Sequence, residues 1–401
     1  MRHRRCISAI LMSFVLFLQP VYAVPPEENQ PENSQENNTE NEKRQQEQIS
    51  APSAILMEAS TGQIIYEKNP DEKLPPASVT KVMTLLLIFD ALESGQIKLA
   101  DEVTTSEYAA SMGGSQVFLE PGETQTVDTL IKCISVASAN DAAVVFAEAI
   151  AVTEEAFVEK MNQKAQELGL VNTHFVNCTG FDEEGHYTCA QDVATMAREL
   201  MTKHGEEITK YSTIWMDSLR NGETELVNTN RLVRFYDGTT GLKTGTTDAA
   251  GHCLCATATR NGMSLISVIM GCQSSDARFE ESKQLLDYGF SSFMIYEGEL
   301  TEGALDPIKV VRGEKTEVVP QAQTMPKAVI RKEEAEQMQV SVERPEQVEA
   351  PLEQGQEIGS VVLLKNGQEV SREPLTATEA VGELTFGKSL RLLCRALVTM
   401  Q

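Results

Sequence analysis

Residues 75–87 read PPASVTKVMTLLL, and the reading of this run decides the rest. The two prolines cannot continue a preceding element, and the apolar run beyond them predicts a buried helix entered at Ser78. Lys81 stands one turn into that run, where an ammonium group is costly unless it is used. Ser78 and Lys81 are i and i+3, on one face of a helix, so the ammonium can reach the hydroxyl. A hydroxyl at the helix start also lies at the positive end of the dipole, which favours developing negative charge. A lysine held among apolar side chains loses solvation, its pKa falls, and it becomes a base near neutral pH. The pattern S-x-x-K arises by chance about once in a chain of this length, so its surroundings must decide.

Working outward, Ser138-Ala139-Asn140 falls between "TVDTLIKCISVAS" and "NDAAVVFAEAIA", both with apolar residues at helical spacing. Lys243-Thr244-Gly245 opens a region of different period. "GHCLCATATRNGMSLISVIMGC" predicts two strands joined at Arg260-Asn261-Gly262, a hairpin with an Asn-Gly turn. Near the other end, "SAILMEASTGQIIYEKN" predicts a hairpin about Ser60-Thr61-Gly62. "SDARFEESKQLLDYGFSSF" predicts a closing helix. Helices in the middle and strands at both ends give an α+β class: an antiparallel sheet built from the two termini, flanked by helices.

The first 23 residues carry Arg2, Arg4 and Arg5, the apolar run "ISAILMSFVLFL" and "VYA" ending at Ala23, the pattern of a secretory signal peptide. Residues 24–50 are nearly free of apolar side chains and read as a disordered acidic linker. Residues 51–298 are expected to form the catalytic domain. Residues 299–383, with short strand-like runs and a turn at Asn366-Gly367, are expected to form a small β domain. In residues 384–401, Phe386, Leu390, Leu393, Leu397 and Met400 share one helical face, with Lys388, Arg391 and Arg395 opposite. That predicts a basic amphipathic helix at a membrane surface. An exported protein attached peripherally to the outer face of the cytoplasmic membrane follows.

The net charge of −25 excludes a nucleic-acid partner, whose phosphates require a Lys/Arg footprint. Cys133, Cys253, Cys255 and Cys272 lie in apolar runs and read as core residues, while the sequence alone leaves open whether Cys178 and Cys189 pair across a loop. In His252-Cys253-Leu254-Cys255, strand alternation turns His252 away from both cysteines. No second pair has ligand spacing, so no metal or other cofactor is expected.

The three short motifs, in this order, resemble the set shared by penicillin-binding proteins and serine β-lactamases. Longer stretches narrow the resemblance: "LPPASVTKVMTLLL", "GGSQVFLEPGE", "SVASANDAAVVFAE", "HFVNCTGFDEEGHYTCAQDVATMAREL", "GLKTGTTDAAGHCLCATATRNGMSLISVIMG" and "ESKQLLDYGF" are similar to low-molecular-mass D-alanyl-D-alanine carboxypeptidases over roughly residues 51–295. The resemblance implies a DD-peptidase/β-lactamase-like domain followed by the small all-β domain and the terminal helix. It implies that Ser78 attacks the penultimate D-alanine of a peptidoglycan stem peptide ending in D-Ala-D-Ala, with Lys81 as base. The N–H groups of Ser78 and Thr246 would form the oxyanion hole, and Ser138 and Lys243 would relay a proton to the leaving D-alanine. Asn140 would bond the substrate backbone, and Thr244 beside Gly245 would hold the terminal carboxylate together with Arg278. β-Lactams would be covalent inhibitors.

Thr246 stands where some relatives carry histidine, and Arg278 has the alternative of pairing with a neighbouring glutamate on its acidic helix. A β-lactamase of class A places a deacylating glutamate roughly 36 residues beyond the second motif. Here that region reads "THFVNCTGF", which disfavours that activity. DD-endopeptidase action uses the same parts. A catalytically silent envelope-binding protein is the reading from another class, and the presence of every motif residue counts against it.

Overall fold

The computed structural model describes residues 49–390. The expected signal peptide, the linker as far as residue 48, and residues 391–401 of the expected terminal helix lie outside the described residues. The folded chain includes the last two linker positions: Ile49 is buried, and the Ser50 and Ala51 N–H groups donate to Glu281 at 3.0 and 3.1 Å.

The core is organised by a five-stranded antiparallel sheet of β1 (Ser53–Glu58), β2 (Ile64–Lys68), β3 (Thr239–Thr247), β4 (Gly251–Arg260) and β5 (Met263–Cys272), in the order β2-β1-β5-β4-β3. The expected hairpins close it. Asn261 and Gly262 both take positive φ, +50° and +78°, the requirement of a two-residue turn that follows strand twist. Successive side chains on a strand point to opposite faces, and here both faces are covered. Ile55, Met57, Cys253, Cys255, Ile266 and Val268 enter one core, while Ala54, Leu56, Leu254, Ala256, Leu265 and Ile269 enter the other. This is why these strands read as continuous apolar runs.

The first core is completed by α1 (Lys81–Glu93), α2 (Val127–Ala137), α3 (Asn140–Ala151), α4 (Glu154–Glu167) and α5 (Ala190–Ser212). The second lies under α6 (Ser275–Ser292), which contributes Phe279, Leu285 and Leu286. Helix α1 is buried almost all round, from Val82 to Phe89, and forms the axis of the helical lobe.

One local expectation is corrected and one open question is answered. The α-helix does not begin at Ser78: Ala77–Thr80 form a 3₁₀ turn, and α1 starts at Lys81, whose N–H donates to the Ser78 carbonyl. Ala77, following the prolines, takes φ +48°, so the chain enters through a tight bend rather than a straight first turn. Cys178 and Cys189 are free, buried thiols, and Cys189 Sγ instead accepts the Asp192 N–H at the start of α5.

The strand Phe293–Glu297 continues from α6 and pairs antiparallel with Lys327–Arg331. Beyond it lie a three-stranded sheet (Ile308–Val311 between Glu317–Val318 and Gln347–Glu349) and a four-stranded sheet (Pro320–Ala322, Gln368–Ala377, Glu357–Lys365, Met338–Glu343). These form their own small cores around Ile308, Val310 and Ile358 and around Ile330, Met338 and Leu363. Val329 packs into the core beneath α6, tying this β-rich region to the sheet. The backbone turns helical again at residues 386–390, with Phe386 exposed.

Candidate active site

In a 3₁₀ turn side chains three residues apart eclipse one another, so the bend at Ala77 places Lys81 beneath Ser78. Lys81 is fully buried, and its Nζ donates to Ser78 Oγ at 3.0 Å, Asn140 Oδ1 at 2.6 Å and the Thr179 carbonyl at 2.6 Å. Burial pushes its pKa down to about 7, against the opposing pull of Cys178 and Asp141. The Cys178 thiol is itself pushed well up by burial and stays neutral, so Asp141 is the opposing charge. Lys81 is thus held by three acceptors and poised to exchange a proton near neutral pH.

Two loops wall this pair. On one side α3 begins with Asn140, whose Nδ2 donates to the Gly113 carbonyl at 2.8 Å while its oxygen accepts from Lys81. The next residue, Asp141, is fully buried and accepts the N–H groups of Val117 and Leu119 at 3.1 and 3.0 Å, fixing the 113–119 segment. On the other side Asn177 Oδ1 gathers the N–H groups of Thr179 and Gly180, and Thr84 Oγ1 donates to the Cys178 carbonyl at 2.7 Å. His186 Nδ1 accepts from the Val176 N–H, so Nε2 carries the ring proton and donates to Thr80 Oγ1 at 2.8 Å. Burial, with His174 nearby, lowers the His186 pKa to about 4, which keeps that arrangement neutral.

The third wall is β3. A Cβ on Gly245 would stand 3.1 Å from the Ser78 nitrogen and 2.8 Å from the Pro76 carbonyl. A Cβ on Gly180, at φ +92°, would stand 2.9 Å from the Ser78 nitrogen and 1.9 Å from the Ala77 carbonyl oxygen. Both glycines are therefore required for backbone to close on the Ser78 turn. Lys243 is fully buried, and burial, then the charges of Lys81 and Arg278, hold its pKa well below the usual lysine range. Its Nζ donates to the Thr244 carbonyl at 3.1 Å, and Thr244 Oγ1 donates to Thr229.

Ser138 ends α2 in the left-handed region, at φ +62°, with its Oγ buried and without a hydrogen-bond partner among the described residues. Ser138 and Lys243, expected to relay a proton, therefore share no hydrogen bond in this structure. Arg278 Nη1 donates to the Gly245 carbonyl at 2.8 Å and to Thr246 Oγ1 at 2.9 Å. Among the described residues no carboxylate lies within ion-pair distance of Arg278. Glu280 pairs with Lys283, and Glu281 is engaged by Ser50 and Ala51. The alternative of a helix ion pair is thus not adopted, and a buried cation without a counter-charge stands at the end of β3.

All the motif residues lie around this one cleft. What the short motifs did not disclose is the support: Asp141, Thr179, Gly180, and the Thr80–His186 pair. A hydroxyl beside a depressed lysine, a second unpaired hydroxyl and an uncompensated guanidinium together suit acyl transfer from a substrate bearing an anionic end.

The fold and the site define a serine hydrolase of the penicillin-binding kind. Residues 39–274 match the family model of the S11 peptidases, described as D-alanyl-D-alanine carboxypeptidase, and residues 302–383 match that of the penicillin-binding protein 5 C-terminal domain. The D-alanyl-D-alanine carboxypeptidase DacF of Bacillus subtilis is 43% identical over 346 residues, covering 84% of this chain and 88% of that protein. The crystal structure of penicillin-binding protein 5 from Haemophilus influenzae superposes with a TM-score of 0.75 at 32% identity, covering 84% of this chain and 98% of that one. The ampicillin-bound penicillin-binding protein D2 of Listeria monocytogenes matches with a TM-score of 0.53 at 28% identity, over 60% of this chain and 98% of that one. The chain belongs to the D-alanyl-D-alanine carboxypeptidase family.

Proposed function

We propose that the protein removes the terminal D-alanine from peptidoglycan stem peptides through an acyl-enzyme on Ser78. The observation that carries this is the buried Lys81 Nζ at 3.0 Å from Ser78 Oγ. Lys81 takes the hydroxyl proton as Oγ attacks the carbonyl carbon of the penultimate D-alanine. The N–H groups of Ser78 and Thr246 receive the oxyanion, beside a turn on which Gly180 and Gly245 let the neighbouring backbone close. The C–N bond then breaks, and Ser138 and Lys243 relay a proton to the departing amine. Water cleaves the ester and restores Ser78.

Asn140 holds Lys81 and retains one amide hydrogen for the substrate backbone. Thr244 and Arg278 take the terminal carboxylate, a role supported by the uncompensated guanidinium. The same steps on a strained β-lactam amide leave a penicilloyl ester on Ser78. Residues 51–298 carry the chemistry, and residues 299–383 form the β domain. Export by residues 1–23 and attachment through residues 384–401 would place it at the outer face of the cytoplasmic membrane. No helix among the described residues is long and apolar enough to cross a membrane.

The test is D-alanine release from a pentapeptide ending in D-Ala-D-Ala. Wild type is expected to release D-alanine, and Ser78→Ala to lose at least about a thousandfold in rate. Equal release by both, or none from folded wild type, would overturn the assignment. A Ser78→Ala protein retaining full biological function would favour the binding-protein reading.

A further inference from the structure

Antiparallel pairing sets Thr246 on β3 directly opposite His252 on β4, so both side chains stand on one face of the sheet. His252 Nδ1 lies 3.2 Å from Thr246 Oγ1, the oxygen that also accepts from Arg278 Nη1 at 2.9 Å. The imidazole is half-buried at the cleft mouth, one hydrogen bond from the guanidinium. Position 246 therefore lacks a histidine of its own but has one beside it on the adjoining strand.

We propose that His252 is a positioning residue for the substrate's terminal carboxylate, acting through Thr246 and adding positive charge to the Arg278 subsite when its ring is protonated. This rests on the carboxypeptidase reading, in which an anionic end docks at Thr244 and Arg278. Thr246 has one hydroxyl proton and two acceptors for it, the Gly245 carbonyl at 2.8 Å and a neutral His252 Nδ1. A protonated ring can only donate at Nδ1. Thr246 Oγ1 then accepts from both Arg278 and His252, and its own proton is directed away from the ring. Where the neutral ring carries its proton on Nε2, protonation of His252 turns the Thr246 hydroxyl at the carboxylate subsite onto the Gly245 carbonyl.

The groups on the elements around the ring are Thr246 on β3, Asp248 in the following turn, Asp182, which accepts from Thr247 Oγ1 at 2.7 Å in that turn, Cys272 opposite on β5, and Arg278 on α6. Cys272 is a buried thiol whose pKa is pushed up to about 12, so it brings no charge. Partial burial, and then Arg278, lower the His252 pKa in the free protein. A bound carboxylate offsets Arg278 and attracts the imidazolium, raising that pKa in the complex. By linkage, affinity for a carboxylate tightens as pH falls through the bound-state pKa and levels off below the free-state pKa. Each unit of difference corresponds to about tenfold in binding.

The experiment resolves benzylpenicillin acylation of the full chain into Kd and the acylation rate constant k2 between about pH 5 and 8, on the histidine range. Wild-type Kd is expected to fall severalfold toward low pH. In His252→Gln that fall should vanish, with the effect of the substitution on Kd rather than on the pH profile of k2. Superimposable Kd profiles would overturn the proposal. NMR titration of the His252 ring in Ser78→Ala, without and with N-acetyl-D-alanyl-D-alanine, reads the same coupling without turnover and with His252 in place. A raised pKa with ligand is expected, and an unchanged one overturns the proposal even where acylation proceeds. Failure of penicillin to acylate any folded form would instead count against the enzyme assignment itself.

Discussion

At the scale of the residue, Lys81 does the most with the least. Its position in the apolar run "SVTKVMTLLL" already implied a depressed pKa, and the structure supplies the cause in complete burial. A lysine base is active when neutral, so acylation by penicillin should rise with pH through about 7 and then level off. Stopped-flow acylation at pH 5 should be about a hundredfold slower than on the plateau. A flat profile would mean that Lys81 is not the base. The glycines carry an equally sharp expectation. Gly180→Ala would put a Cβ 1.9 Å from the Ala77 carbonyl oxygen, so urea denaturation should show a loss of about 3 kcal/mol or more, with slowed acylation. Gly95, also at positive φ but with open space around it, should cost only about 1–2 kcal/mol as alanine. Ser78, Lys81, Ser138, Asn140, Lys243 and Thr244 were legible because short motifs carried them. Gly180 and Thr179 were not: "NCTG" reads locally as a glycosylation sequon, and Thr179 meets Lys81 across 98 residues of sequence.

At the scale of the element, the Ser78–Lys81 pair depends on where α1 and α3 begin. The sequence periodicity predicted α1 but started it at Ser78, because apolar spacing cannot distinguish a 3₁₀ entry from an α-helical one. The difference matters, since the eclipsed turn is what stacks Lys81 under Ser78. Helix α3 shows the opposite case, in which a residue that reads as an ordinary first-turn acid is structural. Asp141→Ala would leave the buried Val117 and Leu119 N–H groups without their acceptor. We expect a loss of about 2–4 kcal/mol in urea denaturation. Weakened acylation should accompany it, because the 113–119 segment that holds Asn140 is released. Unchanged stability would show that the segment is fixed by other contacts.

For the whole molecule, the antiparallel sheet made from both ends of residues 51–298 was legible in its two Gly-containing hairpins and in the change of period after residue 240. Less legible was how the β-rich region joins it. The pairing of Phe293–Glu297 with Lys327–Arg331, and the insertion of Val329 beneath α6, rest on contacts that no local pattern announces. The amphipathic pattern of residues 384–401 gives a prediction at this scale. Full-length protein should co-sediment with anionic vesicles, and a chain ending at residue 383 should not, while both are acylated by penicillin alike. Retained sedimentation of the shorter chain would place the membrane contact elsewhere.

The most direct test of the central claim is the site of acylation. Purified protein is treated with a fluorescent penicillin, and the labelled peptide and the lifetime of the label are read by mass spectrometry. The account predicts one long-lived adduct, on Ser78, absent from Ser78→Ala. An adduct on another residue, or none on a folded sample, would contradict it, and rapid loss of label from Ser78 would mark a β-lactamase instead.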